Sequence, residues 1–254
     1  QLILQMKLLQ VSALDLEQMV RQELEENPAL EQADEQLYER LRGEIRAGTL
    51  SRTALRRELT RYATGPRHLA HHDALDSFVN GLLQSQTPPS PTRQREPEMV
   101  YYVQTPTRFV LEMIDDAPIS AGDVFCDIGS GLGQVVILVA LLTGAKAIGI
   151  EREPAYCRHA QALAESLRVP NVRFLNLDAR EASYGEGTVF FLYTPFFGQM
   201  LQQVLALIEG EARRRPVTLC TYGPCTQQVA AQGWLRRVSP AILSDHRLAI
   251  FKTV

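Results

Sequence analysis

Three acidic residues occupy matching places in three successive stretches of the chain. Asp127 ends the apolar run Val124-Phe125-Cys126, Glu151 ends Ala147-Ile148-Gly149-Ile150, and Asp178 follows Val172-Arg173-Phe174-Leu175-Asn176. Short apolar runs of this kind predict strands covered on both faces. Each carboxylate then stands at the carboxyl end of a strand, the edge where open parallel sheets bind ligands. Directly after Asp127 come Gly129-Ser130-Gly131-Leu132-Gly133-Gln134. Alternate glycines permit positive φ and let a ligand lie against main chain. Carboxylates arrayed beside such a bend can receive amino, ribose and adenine donors. The dinucleotide pattern G-x-G-x-x-G would need glycine at position 134, which is Gln134, so a nicotinamide or flavin is disfavoured.

An acid two residues before G-x-G-x-G resembles the first motif of class I S-adenosylmethionine (SAM) methyltransferases. The elements around it agree with that fold. Val135, Val136, Leu138, Val139 and Leu142 recur at helical spacing after the glycines. A helix over 155–167, a fourth strand over 189–194, a fifth over 217–222 and an antiparallel pair over 234–238 and 246–252 complete the count. The expectation is an α/β, Rossmann-like sheet of seven strands with an all-helical N-terminal extension. Tyr193, Thr194 and Phe196, at the end of the fourth strand, are the candidate acceptor-side residues. The rings of Tyr193, Phe196 and Phe197 suit a positive sulfonium, and core packing is the competing reading.

A sharper likeness lies in Asp127-Ile128-Gly129-Ser130-Gly131-Leu132-Gly133-Gln134-Val135-Val136, with Tyr102-Val103-Gln104-Thr105 upstream. This is similar to the non-SET histone lysine methyltransferases of the disruptor-of-telomeric-silencing type. The resemblance implies that Tyr102, Thr105, Asp127, Gly129, Ser130, Gly131, Gly133, Gln134, Glu151 and Asp178 hold SAM. Two departures stand out. Gln104 replaces that family's Glu, and Tyr193-Thr194-Pro195-Phe196 replaces its Asn-Asn-Phe-Ala. The acceptor is therefore left open, with protein lysine or another nitrogen favoured.

The segments that must position these residues read as follows. Residues 1–36 form a helical hairpin and residues 37–85 a helical domain. Residues 86–98 (QTPPSPTRQREP and its neighbour) are a proline-rich linker, and residues 99–254 the catalytic domain. Ser51 is a helix cap ahead of Leu55, Leu59 and Tyr62. His71-His72-Asp73 is disfavoured as a metal site, since adjacent helical side chains diverge by about 100°. The four cysteines show no metal spacing, so no metal is expected.

The words 8–17 (LLQVSALDLE) and 22–31 (QELEENPALE) are similar to the activator-interacting region of the bacterial enhancer-dependent sigma factor. That likeness implies a bacterial source and contact with transcription machinery through residues 1–34. The alternative function it raises is a transcription-associated binding module whose Rossmann domain senses SAM or is inactive. A net charge of -3 argues against nucleic-acid binding by bulk electrostatics. No apolar run reaches the roughly 20 residues of a membrane span, and a cytoplasmic setting is expected.

Overall fold

The computed structural model describes residues 28–63, 73–84, 88–239 and 247–254. The chain divides into two units between Gly43 and Glu44. Of the first unit, the described part is the start of α1 (Pro28–Ala47), along which Arg42 pairs with Glu35 at 2.5 Å and Glu39 at 2.8 Å. The sigma-like words up to residue 27, and His71 and His72, lie outside the described residues.

The second unit is built on one seven-stranded sheet. Its strands are β1 (Val124–Ile128), β2 (Lys146–Glu151), β3 (Val172–Asn176), β4 (Val189–Leu192), β5 (Thr218–Thr221), β6 (Leu235–Arg237) and β7 (Ala249–Thr253). The order is β3-β2-β1-β4-β5-β7-β6. β1 to β5 run parallel, and β7 runs antiparallel to both β5 and β6. This is the seven-stranded, Rossmann-like class I methyltransferase sheet expected from the sequence. β4 ends sooner than expected, at Leu192 rather than Thr194. Thr194 has φ 42°, which no extended strand can carry.

The helices are α2 (Arg52–Tyr62), α3 (Ala74–Leu83), α4 (Thr107–Asp116), α5 (Gln134–Thr143), α6 (Pro154–Ser166), α7 (Gly198–Ala212) and α8 (Cys225–Ala230). α5 is apolar around its whole circumference, with nine of its ten residues buried. A helix of that composition needs cover on its outer side as well as on the sheet. α2 and α4 supply it. Two arginines fasten the chain before β1 to the sheet layer. Arg46 Nε donates to the carbonyl of Ser166, the last residue of α6, at 3.0 Å. The Arg52 guanidinium packs against Gly144, the left-handed cap of α5. Cations at helix carboxyl ends oppose the negative end of the dipole. Ser51 caps α2 as expected, accepting from the Ala54 N–H at 3.1 Å.

α3 and α4 are joined by carboxylates. Asp73 and Asp76 form a capping box at the start of α3. Asp76, fully buried, also accepts from the Thr107 N–H at 2.7 Å, an otherwise orphan donor in the first turn of α4. Asp73 in turn pairs with Arg108. Among the described residues no helix is long and apolar enough to cross a membrane, and no three His, Cys, Asp or Glu are grouped to hold a metal.

Candidate functional site

Strand order reverses between β1 and β4, and a cleft of about 210 Å³ opens there at the carboxyl ends of β1, β2 and β4. Of the thirteen residues singled out from the sequence, twelve line it: Tyr102, Thr105, Asp127, Gly129, Ser130, Gly131, Gln134, Glu151, Asp178, Tyr193, Thr194 and Phe196. Gly133 does not line it. A Cβ there would lie 2.6 Å from Phe174 Cζ and 2.7 Å from Ala160 Cβ, so this glycine lets α5 close on the layer beneath.

Asp127, Glu151 and Asp178 share this one cleft but differ in what surrounds them. Asp127 is 3% exposed, and among the described residues no donor reaches its carboxylate. Burial, with the Glu151 charge behind it, pushes Asp127 up to about 8. Glu151 is also raised by burial, against the pull of two main-chain donors: Glu153 N–H to Oε1 at 2.7 Å and Gly131 N–H to Oε2 at 2.9 Å. Asp178 is held below the usual carboxylate range, chiefly by hydrogen bonds from Arg180. Arg152 stands 3.6 Å away. The Ser130 hydroxyl is buried without a partner among the described residues.

At Gly131, φ is +53° and a Cβ would overlap the Tyr102 ring. That ring also faces Tyr156, with centroids 5.5 Å apart. A nucleoside with a cationic substituent fits these residues. It would give Asp127 the positive partner it lacks, offer Ser130 a hydrogen bond, and lie on main chain where glycine leaves room.

At the other end of the cleft, Tyr193 packs against Tyr222, with centroids 5.1 Å apart. Burial keeps its phenol protonated. The Thr194 hydroxyl donates to the Tyr222 carbonyl at 2.9 Å and accepts from the Cys225 N–H at 3.2 Å. Both functions are thereby used inside the turn, so Thr194 shapes the cleft through its backbone rather than offering its hydroxyl. Phe196 is 5% exposed, lines the cleft and belongs to the core beneath it.

The stretch ahead of Tyr102 contributes more than its composition announced. Thr92 Oγ1 donates to Glu153 Oε1 at 2.7 Å, and the Arg93 N–H donates to Glu153 Oε2 at 2.8 Å. Glu96 pairs with Arg180 at 2.9 Å and Arg152 at 3.2 Å. Glu98 accepts from Gln199 and Met200 at the start of α7, and Met99 bridges antiparallel to Phe196. Residues 92–99 therefore form a strap across the mouth, with Arg93, Arg95 and Met99 among the cleft residues. Glu153, at the head of α6, is the residue most plainly missed; the only local hint was its place before Pro154.

Burial alone would raise Glu153. Hydrogen bonds from Ala155, Thr92 and Arg93 outweigh it and hold the carboxyl at about 2. Its contribution to stability is thus present above the unfolded value of about 4.3 and fades as pH falls through about 2. Glu153→Ala is expected to lower Tm at pH 7 and to converge on wild type toward pH 2. Thermal unfolding across that range checks it, and a constant offset at every pH would contradict the assignment.

Residues 97–191 match the family described as histone methylation protein DOT1, and residues 1–32 match the sigma-54 factor activator interacting domain. A histone-lysine N-methyltransferase, H3 lysine-79 specific, of Dictyostelium discoideum is 29% identical over 94 residues, covering 32% of this chain and 5% of that protein. The chain thus spans about one twentieth of the length of that relative. Among solved structures, the RNA methyltransferase of Salinibacter ruber in complex with S-adenosyl-L-homocysteine is 26% identical. It covers 59% of this chain and 92% of its own, with a TM-score of 0.44. The precorrin-6y C5,15-methyltransferase of Geobacter metallireducens is 18% identical, covering 61% and 92%, with a TM-score of 0.45.

Proposed function

We propose that the chain is a SAM-dependent methyltransferase acting on an acceptor nitrogen. The observation that carries this reading is the convergence of Asp127, Glu151 and Asp178 with the glycine bend in one cleft. When bound, SAM supplies an already activated methyl group, open to in-line displacement. Asp127 would hold the cofactor's ammonium and Glu151 its ribose hydroxyls. The edge near Asp178 would take the adenine, and Tyr102 and Thr105 would close over it. Tyr193 and Phe196 would wall the acceptor path and exclude water. Among the described residues no histidine, lysine or cysteine lines the cleft, and its acids are Asp127, Glu151, Glu153 and Asp178. The acceptor therefore enters with its lone pair free, as a neutral amine does, and its proton leaves to solvent. Protein lysine meets that requirement once its ammonium, protonated at neutral pH, has given a proton to solvent before attack, and the match to the histone methylation family supports it.

Calorimetry with SAM tests the reading. Wild type is expected to bind, and Asp127→Ala combined with Glu151→Ala to show no heat of binding. Absence of binding by wild type, or undiminished binding by the double variant, overturns it. A second reading, contact with transcription machinery through residues 1–34, is favoured by the sigma-54 match alone. Pull-down with RNA polymerase or an activator ATPase, with and without those residues, separates it from methyl transfer.

A further inference from the structure

We propose that Asn80, on α3, is a positioning residue for the cofactor cleft, acting through Gln104 and Gln134 on the roof segment 102–105. The inference rests on the SAM reading of the cleft and adds an element that no cleft-lining residue reveals. Gln104 Nε2 donates to Asn80 Oδ1 at 2.6 Å and also to Gln134 Oε1. Gln134 Nε2 then donates to Thr107 Oγ1 at 3.1 Å, and the Thr107 N–H donates to Asp76 Oδ1 at 2.7 Å. The path leaves α3 at Asn80 and returns to it at Asp76. These two residues are four apart and so lie on one face of the helix.

This loop of hydrogen bonds encloses the roof. Tyr101 and Val103 are 76% and 60% exposed, whereas Tyr102 and Gln104 are half-buried. In an extended segment that alternation puts Tyr102 and Gln104 on the inward side together. Fixing the Gln104 amide therefore fixes the direction of the Tyr102 ring two residues before it and of Thr105 directly after it. Gln134 lines the cleft, yet both ends of its amide are engaged by Gln104 and Thr107. Its work is to clip the roof to the glycine turn.

The same geometry explains the amide at position 104. The side chain stands between two carbonyl oxygens, Asn80 Oδ1 and Gln134 Oε1, and only a group with two N–H donors satisfies both. A carboxylate there offers no donor, and Asn80 and Gln134 would have to turn their amides over to pair with it. α3 belongs to the chain before the proline-rich stretch, so part of the cofactor site is held from outside residues 99–254.

The test uses the full chain. Asn80→Ala is expected to weaken SAM binding about tenfold in calorimetry, because the roof is mis-set rather than removed. Asn80→Asp keeps the acceptor oxygen and is expected to bind close to wild type. Asn80→Ala/Gln104→Ala should bind no worse than Gln104→Ala alone, since one acts through the other. Additive losses, or equal losses for Asn80→Ala and Asn80→Asp, overturn the proposal.

A measurement without cofactor separates it from the SAM reading. Amide exchange in the peptide spanning residues 100–107 should quicken in Asn80→Ala and stay near wild type in Asn80→Asp. Unchanged exchange in Asn80→Ala refutes the positioning role whether or not SAM binds. Failure of wild type to bind SAM, with exchange quickened as expected, refutes only the function.

Discussion

Asp127→Asn is expected to abolish measurable SAM binding while making the ligand-free protein more heat-resistant above pH 8. Both effects come from one buried carboxylate. Its folded pKa is pushed to about 8, against an unfolded value of about 3.9. Between those limits the native state holds a proton that the unfolded chain gives up, so stability falls as pH rises across the window. Above about 8 the buried charge is fully developed and opposes folding in full. The amide does not ionise and removes that opposition. It also removes the anion that a bound ammonium would need, a loss of at least about 2 kcal/mol in affinity.

The checks are Tm of the ligand-free proteins from pH 6 to 9 and calorimetry with SAM. Wild type should decline with pH and the variant stay flat. Parallel Tm curves would refute the electrostatic account. Since a cation must displace the Asp127 proton, wild-type affinity should tighten with pH up to about 8, with protons released to the buffer.

Gly131→Ala should produce the second large effect, losing SAM binding together with about 1–3 kcal/mol of stability. Position 131 has φ +53°, where an L side chain is strained, and the new methyl would overlap the Tyr102 ring. Relief by shifting the turn would draw the Gly131 N–H away from Glu151 Oε2. Relief by moving Tyr102 would open the roof. Either route damages the cleft. Thermal unfolding and calorimetry read the two losses. Gly131→Ala/Tyr102→Ala separates their causes, because it should regain the part of the stability lost to overlap but not the part lost to strain. A double variant no more stable than the single would mean that the ring contact is unimportant.

What could be read from the sequence follows the range of the interactions involved. The glycine turn, the acids in the last two residues of β1 and β2 and the final antiparallel pair were legible because each is set by neighbouring residues. α5 was legible too, from the helical spacing of Val135, Val136, Leu138, Val139 and Leu142, but the helices that cover its outer side were not. The strap was not. Pro89, Pro91 and Pro97 erase periodicity, and the partners of Thr92 and Glu96 lie at Glu153 and Arg180, far along the chain. Composition alone makes such a stretch look like a linker. Gln104 stood out as a departure from the family's Glu, but its pairing with Asn80 carried no signal, since nothing local links two neutral amides 24 residues apart. At Thr194 the residue was legible and its use was not: nothing local says that a hydroxyl will be consumed by Tyr222 and Cys225.

The antiparallel bridge between Met99 and Phe196, with Glu98 capping the start of α7, has a consequence for biosynthesis. The ribosome delivers the strap roughly a hundred residues before the segment that anchors its far end. A nascent chain that already displays the glycine turn, β2 and β3 therefore still lacks a closed mouth. Closure of the mouth awaits translation past Met200, well after β3 has been made.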